Sequence, residues 1–300
     1  GHAIHRGELP AACAAGTFVP PTLIEIDRPD QLQREVFGPI VHVLRYSSER
    51  LDEVVDAINA TGYGLTFGAH SRVDETLHRL MSRIKAGNLY INRNMIGAVV
   101  GVQPFGGEGQ SGTGPKAGGP FYLPRLLELA NPALETLGLQ RNTEADPRLA
   151  AFEVLTAWSH RHGLRALALA CAEYATATPL PCRGKLPGPT GEENTLYFAP
   201  RGEVLCQAAS EAALLEQLAA VLATGNTPAL VGPFAAATMM ARLPAEVQTA
   251  IKRLPAGTAM KPQAILFDGD HRALAELRQR IAAQDGPLIP IITAGPGIGH

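Results

Sequence analysis

In the stretch EVFGPIVHVLRY (Glu35–Tyr46) a carboxylate stands two residues before a phenyl ring, and a Gly-Pro pair follows at once. A carboxylate can accept hydrogen bonds and a phenyl ring can form an apolar wall, while the Gly-Pro pair bends the backbone beside both. The plain local alternative is a strand entry, with Glu35 in solvent and Phe37 in the core, and so short a motif does not choose between them. Other reactive residue types give weaker signals. Cys13, Cys171, Cys182 and Cys206 form no CxxC pair and no paired His-Cys spacing, so they read as reduced thiols of a cytoplasmic protein and not as disulfides or zinc ligands. His160 and His162 of SHRHG are i, i+2, which would turn them to different sides of a helix and argues against a metal site.

The elements that must position these residues are legible in outline. Strand signals occur at TFVPPTLIEI and IVHVLRY. A helix is expected over SERLDEVVDAINA, with Ser48 as N-cap and Leu51, Val54, Val55 and Ile58 on one face. DETLHRLMSRIKAG reads as a second helix ending on Gly87, with the strand NLYIN directly after it. Two glycine- and proline-rich breaks, 105–120 and 178–193, read as loops. Beyond Asn194 the pattern becomes regular. TLYFAPRGEVLCQA suggests two short strands around a turn, and a helix capped by Ser210 runs to Gly225-Asn226. The strand TPALVG, a helix over LPAEVQTAIKRL, the strand AILFDGD, a helix from His271 and the strand PLIPIITAG follow. Apolar strands alternating with amphipathic helices predict an α/β fold with a mostly parallel sheet, Rossmann-like in its alternation.

Bulk properties bound the partners. A net charge of −2 and sequence pI near 6.5 give no basic face for nucleic acid or an anionic membrane. No apolar run reaches the ~18 residues of a membrane span. The best candidate, Leu164–Leu180, is interrupted by Arg165 and Glu173.

Taken together and in order, GTFVPPTLIEI, EVFGP, GNLYINRN and GAVVGVQPFGGEGQSGTGPKAGGP resemble the carboxyl-terminal part of an aldehyde dehydrogenase catalytic domain. The last of these is similar to the form found in the proline utilization A family, bifunctional enzymes joining a proline dehydrogenase to a glutamate-semialdehyde dehydrogenase. The resemblance covers about the first 130 residues. It implies that Glu35 hydrogen-bonds the nicotinamide ribose hydroxyls of NAD and that Phe37 packs near the nicotinamide. It also implies that the N–H groups of Gly97 and Ala98 anchor the α-carboxylate of glutamate semialdehyde, small residues being needed for close approach, and that Phe105 packs on the aliphatic part of that substrate. A tight turn with a buried Phe105 is the alternative. Asn92, Ser111 and Lys116 read as loop and packing residues.

The same resemblance points to missing parts. The reaction needs a cysteine thiolate that attacks the aldehyde, passes hydride to NAD from a thiohemiacetal and leaves a thioester for hydrolysis. Cys13, in LPAACAAGTF, does not match that nucleophile's motif, so no catalytic residue is assigned here. The expectation is a fragment, inactive alone, with apolar surface left exposed over 1–130. The flavin (FAD) of the proline dehydrogenase module and the NAD-binding half would lie elsewhere in the polypeptide, whose other parts are the expected partner within a homo-oligomeric parent.

Residues 131–300 are expected to form a separate domain. It resembles, more weakly, the NAD-binding portion of an aldehyde dehydrogenase with its chemical positions changed. Val231-Gly232 stand near the place of a ribose-binding lysine, Asp270 replaces a serine beside the pyrophosphate, and Thr293-Ala294 replace a glutamate base. That implies a non-catalytic domain, packing on the catalytic modules and covering the cavity between them.

Overall fold

A computed structural model describes residues 4–96, 98–112, 114–127, 134, 138–232 and 237–293. The chain divides into two compact units, one of residues 1–97 with 105–114 and one of 98–104 with 115–300.

The first unit contains β1 (Ile4–Arg6), β2 (Thr22–Ile26), β3 (Ile40–Leu44), α1 (Leu51–Ala60), β4 (Tyr63–Gly64), β5 (Thr66–Ala69), α2 (Asp74–Arg83), β6 (Asn88–Ile91) and β7 (Glu108–Gly109). β2 starts only at Thr22 because Pro20 and Pro21 cannot donate to a ladder. It pairs antiparallel with β1 and parallel with β3, while β5 and β6 form a parallel pair. α1 turns Val55 fully inward and half-buries Leu51, Val54 and Ile58, as its periodicity predicts. Two expected boundaries fail. Ser48 does not cap α1: it sits in a 3-10 turn, Ser48–Arg50, and its hydroxyl bonds Glu49. Nor does α2 reach Gly87. Ile84 turns extended, its N–H still bonded to Leu80, and the Gly87 N–H pairs with the Gly64 carbonyl in strand-like contact.

The second unit contains α3 (Tyr122–Leu126), β8 (Gln140–Arg141), α4 (Ala150–Arg161), α5 (Arg165–Ala177), β9 (Cys182–Leu186), β10 (Asn194–Tyr197), β11 (Glu203–Gln207), α6 (Glu211–Ala223), β12 (Thr227–Val231), α7 (Ala237–Arg242), α8 (Ala245–Ala250), β13 (Lys252–Leu254), β14 (Ala264–Phe267), α9 (His271–Ala282) and β15 (Ile291–Thr293). Five strands form a wholly parallel sheet in the order β13-β12-β11-β14-β15, the predicted alternation realised with β11 at the centre. A separate antiparallel sheet, β10-β9-β8, stands beside it, so the two strands read around Arg201-Gly202 belong to different sheets.

Period-two alternation covers both faces of the parallel sheet. Val204, Cys206, Leu230 and Ala264 join one core with Leu155 and Trp158 of α4 and Leu218 of α6. Leu205, Ile265 and Phe267 join the other with Leu277 of α9. α6 is apolar nearly all round and correspondingly buried. Ser210 Oγ accepts from Ala213 N at 3.1 Å at its start. Gly225, at φ +67, ends it, with Asn226 N bonded to Val221 O and Gly225 N to Leu222 O. The expected helix over 243–254 ends instead at Ala250. Lys252–Leu254 is an edge strand, held by β12 and by the ion pair of Lys252 with Glu203.

Candidate functional site

Glu35 and Phe37 lie in the irregular segment between the 3-10 turn at Pro29–Gln31 and β3. Pro39 O accepts from Thr22 N at 2.9 Å and Gly38 O from Ile40 N at 2.8 Å, which pins the exit of the segment to β2 and the start of β3. Both side chains are exposed. Phe37 is 96% accessible, so the core position of the local alternative is excluded. Among the described residues nothing bonds the Glu35 carboxylate. A free acceptor and a bare aromatic face two residues apart fit ribose hydroxyls and a planar ring. Phe18, Val19 and Val41 of the same unit are also more than half accessible, the apolar surface expected over the first 130 residues.

Of the three residues assigned to substrate, Gly97 lies outside the described residues, Ala98 belongs to the second unit and Phe105 to the first. Phe105 is half-buried. Ala98 opens a short loop whose donors are unevenly used. The Val99 N–H is taken by Gln103 Oε1 at 3.2 Å, and Val99 O accepts from both Val102 N and Gln103 N at 3.0 Å. The neighbouring Ala98 N–H has no partner among the described residues. Gly101 holds the turn at φ +81.

Gln103 is the residue that sequence reading passed over. Its side chain is 9% accessible, and its Nε2 donates to Glu192 Oε1 at 2.8 Å, an oxygen that also accepts from Asn194 Nδ2 at 3.1 Å. A polar residue between Val102 and Pro104 was the one local, weak signal. Val102 and Pro104 line a cavity of about 260 Å³ with Gly119, Leu139, Leu186 and Leu196, all of the second unit.

The glycine-rich run after Phe105 is backbone packing. Gly109 sits at φ +57, and a Cβ there would lie 2.4 Å from Gly62 O, across the β4–β7 pairing. Ser111 Oγ accepts from Gly64 N, and Asn92 Oδ1 from Ser71 N, so both are structural as predicted. His162 is engaged locally, with Nδ1 2.9 Å from Trp158 O, and no metal-holding cluster occurs among the described residues. Cys13 lies half-buried on the 3-10 turn Ala11–Ala15. No helix among the described residues is long and apolar enough to cross a membrane.

At the carboxyl ends of β11 and β14, where a doubly wound sheet offers its crevice, three backbone donors are engaged by side chains. Asp270 Oδ1 accepts from Ala273 N at 2.8 Å, Ser210 Oγ from Ala213 N, and Asp268 Oδ2 from Ala209 N at 3.1 Å.

The model of the aldehyde dehydrogenase family matches residues 1–131. Over 298 residues, 99% of its length, the chain is 45% identical to the bifunctional protein PutA of Rhizobium meliloti, and it is 44% identical over 288 residues to that of Escherichia coli. It spans 24% and 22% of those proteins. The 1-pyrroline-5-carboxylate dehydrogenase of Oceanobacillus iheyensis is 45% identical over 114 residues, 37% of this chain and 22% of that protein. Among solved structures, proline utilization A from Corynebacterium freiburgense matches 97% of this chain and 26% of its own with a TM-score of 0.62 and 20% identity, a likeness of fold. The α/β fold with a mostly parallel sheet is thus as expected.

Proposed function

We propose that this chain is the carboxyl-terminal part of the NAD-dependent glutamate-semialdehyde dehydrogenase module of a bifunctional enzyme that oxidises proline to glutamate. The observation that carries this reading is the 45% identity to a bifunctional PutA across nearly the whole chain, with 1-pyrroline-5-carboxylate dehydrogenases aligned over part of it. When bound, NAD supplies the hydride acceptor. Glu35 accepts from its ribose hydroxyls and Phe37 gives the nicotinamide an apolar face, which holds a mobile ring in one register. The Ala98 N–H, with that of Gly97, anchors the substrate α-carboxylate, and Phe105 packs on its aliphatic chain. The dehydrogenase segment ends near residue 130. Residues 131–300 form a non-catalytic domain that packs on and covers the catalytic modules. FAD belongs to the proline dehydrogenase module, and no residue here is assigned to it. The setting is a cytoplasmic homo-oligomer.

The test is E35A in the full-length polypeptide. Loss of a charged acceptor should weaken NAD binding about tenfold or more, read by titration, while the proline oxidation half-reaction stays as in the native protein. Unchanged NAD affinity removes Glu35 from the site.

A further inference from the structure

We infer that Glu192 and Gln103 are positioning residues for the substrate-anchoring loop, so that the carboxyl-terminal unit sets the affinity of the dehydrogenase for the amino-acid end of its substrate. This rests on the reading of the Ala98 loop as that anchor.

The argument begins with the path of hydrogen bonds. Gln103 grips both polar groups of Val99: its side-chain Oε1 takes the Val99 N–H, and its own backbone N–H is given to the Val99 carbonyl. That double hold fixes the peptide plane one residue after Ala98. It also engages the Val99 N–H and leaves the Ala98 N–H beside it without a partner among the described residues. A glutamine side chain in solvent could not specify this. Gln103 can, because it is buried and its other end is committed: Nε2 donates to the Glu192 carboxylate at 2.8 Å. With Nε2 so anchored, Oε1 must point the opposite way, toward Val99.

Glu192 is held in turn. It lies in the connection between β9 and β10, where its Oε1 accepts from Asn194 Nδ2, and Asn194 Nδ2 also donates to Pro187 O at 3.1 Å across the same connection. A charge-assisted bond to a half-buried carboxylate is stronger than a neutral one, which suits a fixed reference point. The sequence of couplings is therefore β9–β10 connection, Glu192, Gln103, Val99, Ala98. The loop falls inside the aldehyde dehydrogenase match, yet it packs as part of the unit that holds residues 115–300. A domain without catalytic residues acquires a role through this link: it presents a donor in a preset direction, lowering the ordering cost of binding.

The test uses E192A and E192Q in the full-length polypeptide, with two aldehydes: glutamate semialdehyde, and propanal, which lacks the amino-acid end. E192A should raise KM for glutamate semialdehyde about tenfold, the scale of one hydrogen bond to a charged acceptor, with little change in kcat and none in the kinetics of propanal. E192Q keeps an acceptor for Gln103 Nε2 and should stay within about twofold of the native KM. A readout independent of activity is hydrogen exchange at the Val99 amide, which should accelerate about tenfold or more in E192A and not in E192Q. If E192A does not fold, E192D withdraws the carboxylate by one methylene and carries the same expectation. Equal losses on both aldehydes, or an unmoved KM and Val99 amide, overturn the inference. Failure of the underlying reading looks different: A98V, which adds bulk beside the Ala98 N–H, would then leave the KM for glutamate semialdehyde unchanged. A raised KM in A98V with a native KM in E192A rejects the positioning role alone.

Discussion

Asp268 reaches from the end of β14 to the end of β11, its carboxylate accepting the Ala209 N–H at 3.1 Å, while its own N–H continues the ladder to Gln207 O at 2.8 Å. The two central strands of the parallel sheet are thereby tied together at the point where a doubly wound sheet opens to a ligand. Ser210 and Asp270 cap α6 and α9, so one first-turn donor of each helix is taken by the protein's own side chain. Two carboxylates, Asp268 and Asp270, also oppose a phosphate there.

The second unit should therefore not bind a dinucleotide. ADP-ribose titrated into the 300-residue chain is expected to leave the amide signals of Ala209–Ala213 and His271–Ala273 unshifted up to about 1 mM, the range of a weak specific site. A saturable shift at those amides would make this sheet a working nucleotide fold. Because the readout is local, binding at Glu35 in the other unit does not confuse it.

How far the sequence foretold this can be judged residue by residue. Ser210 and Gly225 bracket α6 as read, because a cap and a left-handed stop act over four or five residues and leave a local mark. The same logic failed at Gly87 and Ser48. Both are residue types that cap, but Gly87 is used by the Gly64 carbonyl and Ser48 by its neighbour Glu49, choices made by tertiary packing and by the turn before α1. Lys252–Leu254 continues a helical pattern and is nonetheless a strand, since β12 offers an open edge. Phe37 could be placed only by its motif: period and propensity suit a core residue equally well. Gln103 left almost no trace, because its partner stands 89 positions away.

Thiol chemistry gives a direct check of the fold. Cys171, Cys182 and Cys206 are buried, and burial pushes the Cys206 thiol up to about 12, whereas Cys13 is half-accessible. A thiol must be both reachable and ionised to react. With Ellman's reagent at neutral pH, Cys13 is expected to react in the native protein and the other three only after denaturation, the C13S variant being silent until unfolded. Fast labelling of Cys206 in the native state would contradict the packing of α6 on the sheet.

Leu218 tests the same core from the apolar side. It is fully buried on α6 between the parallel sheet and α4. L218A removes several methylene groups from a site closed on all sides and should cost about 2–5 kcal/mol, measured as a shift in denaturant midpoint with the slope unchanged. A loss below about 1 kcal/mol would mean that the surroundings collapse into the gap and that α6 is less rigidly seated than described.

Tyr174 on α5 titrates late. Burial first, then the Glu216 carboxylate facing its hydroxyl, raises it to about 12. The neutral phenol is the favoured form in the folded state, so its contribution to stability is complete below the ordinary tyrosine value of about 10 and is lost as pH rises through about 12. Alkaline absorbance titration should show a late phenolate step that is missing in Y174F. If the spectra of the two proteins differ only by an early, ordinary step, α5 does not bury this ring.

Asp146 works in the opposite direction. The Arg148 side chain donates to it from Nε at 2.8 Å and from Nη2 at 2.6 Å, and the Arg148 N–H adds a cap bond at 3.0 Å, which together hold the carboxyl below its usual value against the cost of burial. The charged form is thus favoured by folding. Its stabilisation is present above the ordinary aspartate value of about 3.9 and disappears as pH falls through the lower folded value. D146N should be less stable than the native chain at neutral pH by about 1 kcal/mol, the scale of a helix cap, and the difference should close in acid. Denaturation curves for both proteins across that acid range decide the matter. A gap that stays constant through it would assign the cost of D146N to altered packing around Arg148, which also donates to Phe198 O and Leu180 O, and not to the ionised carboxylate.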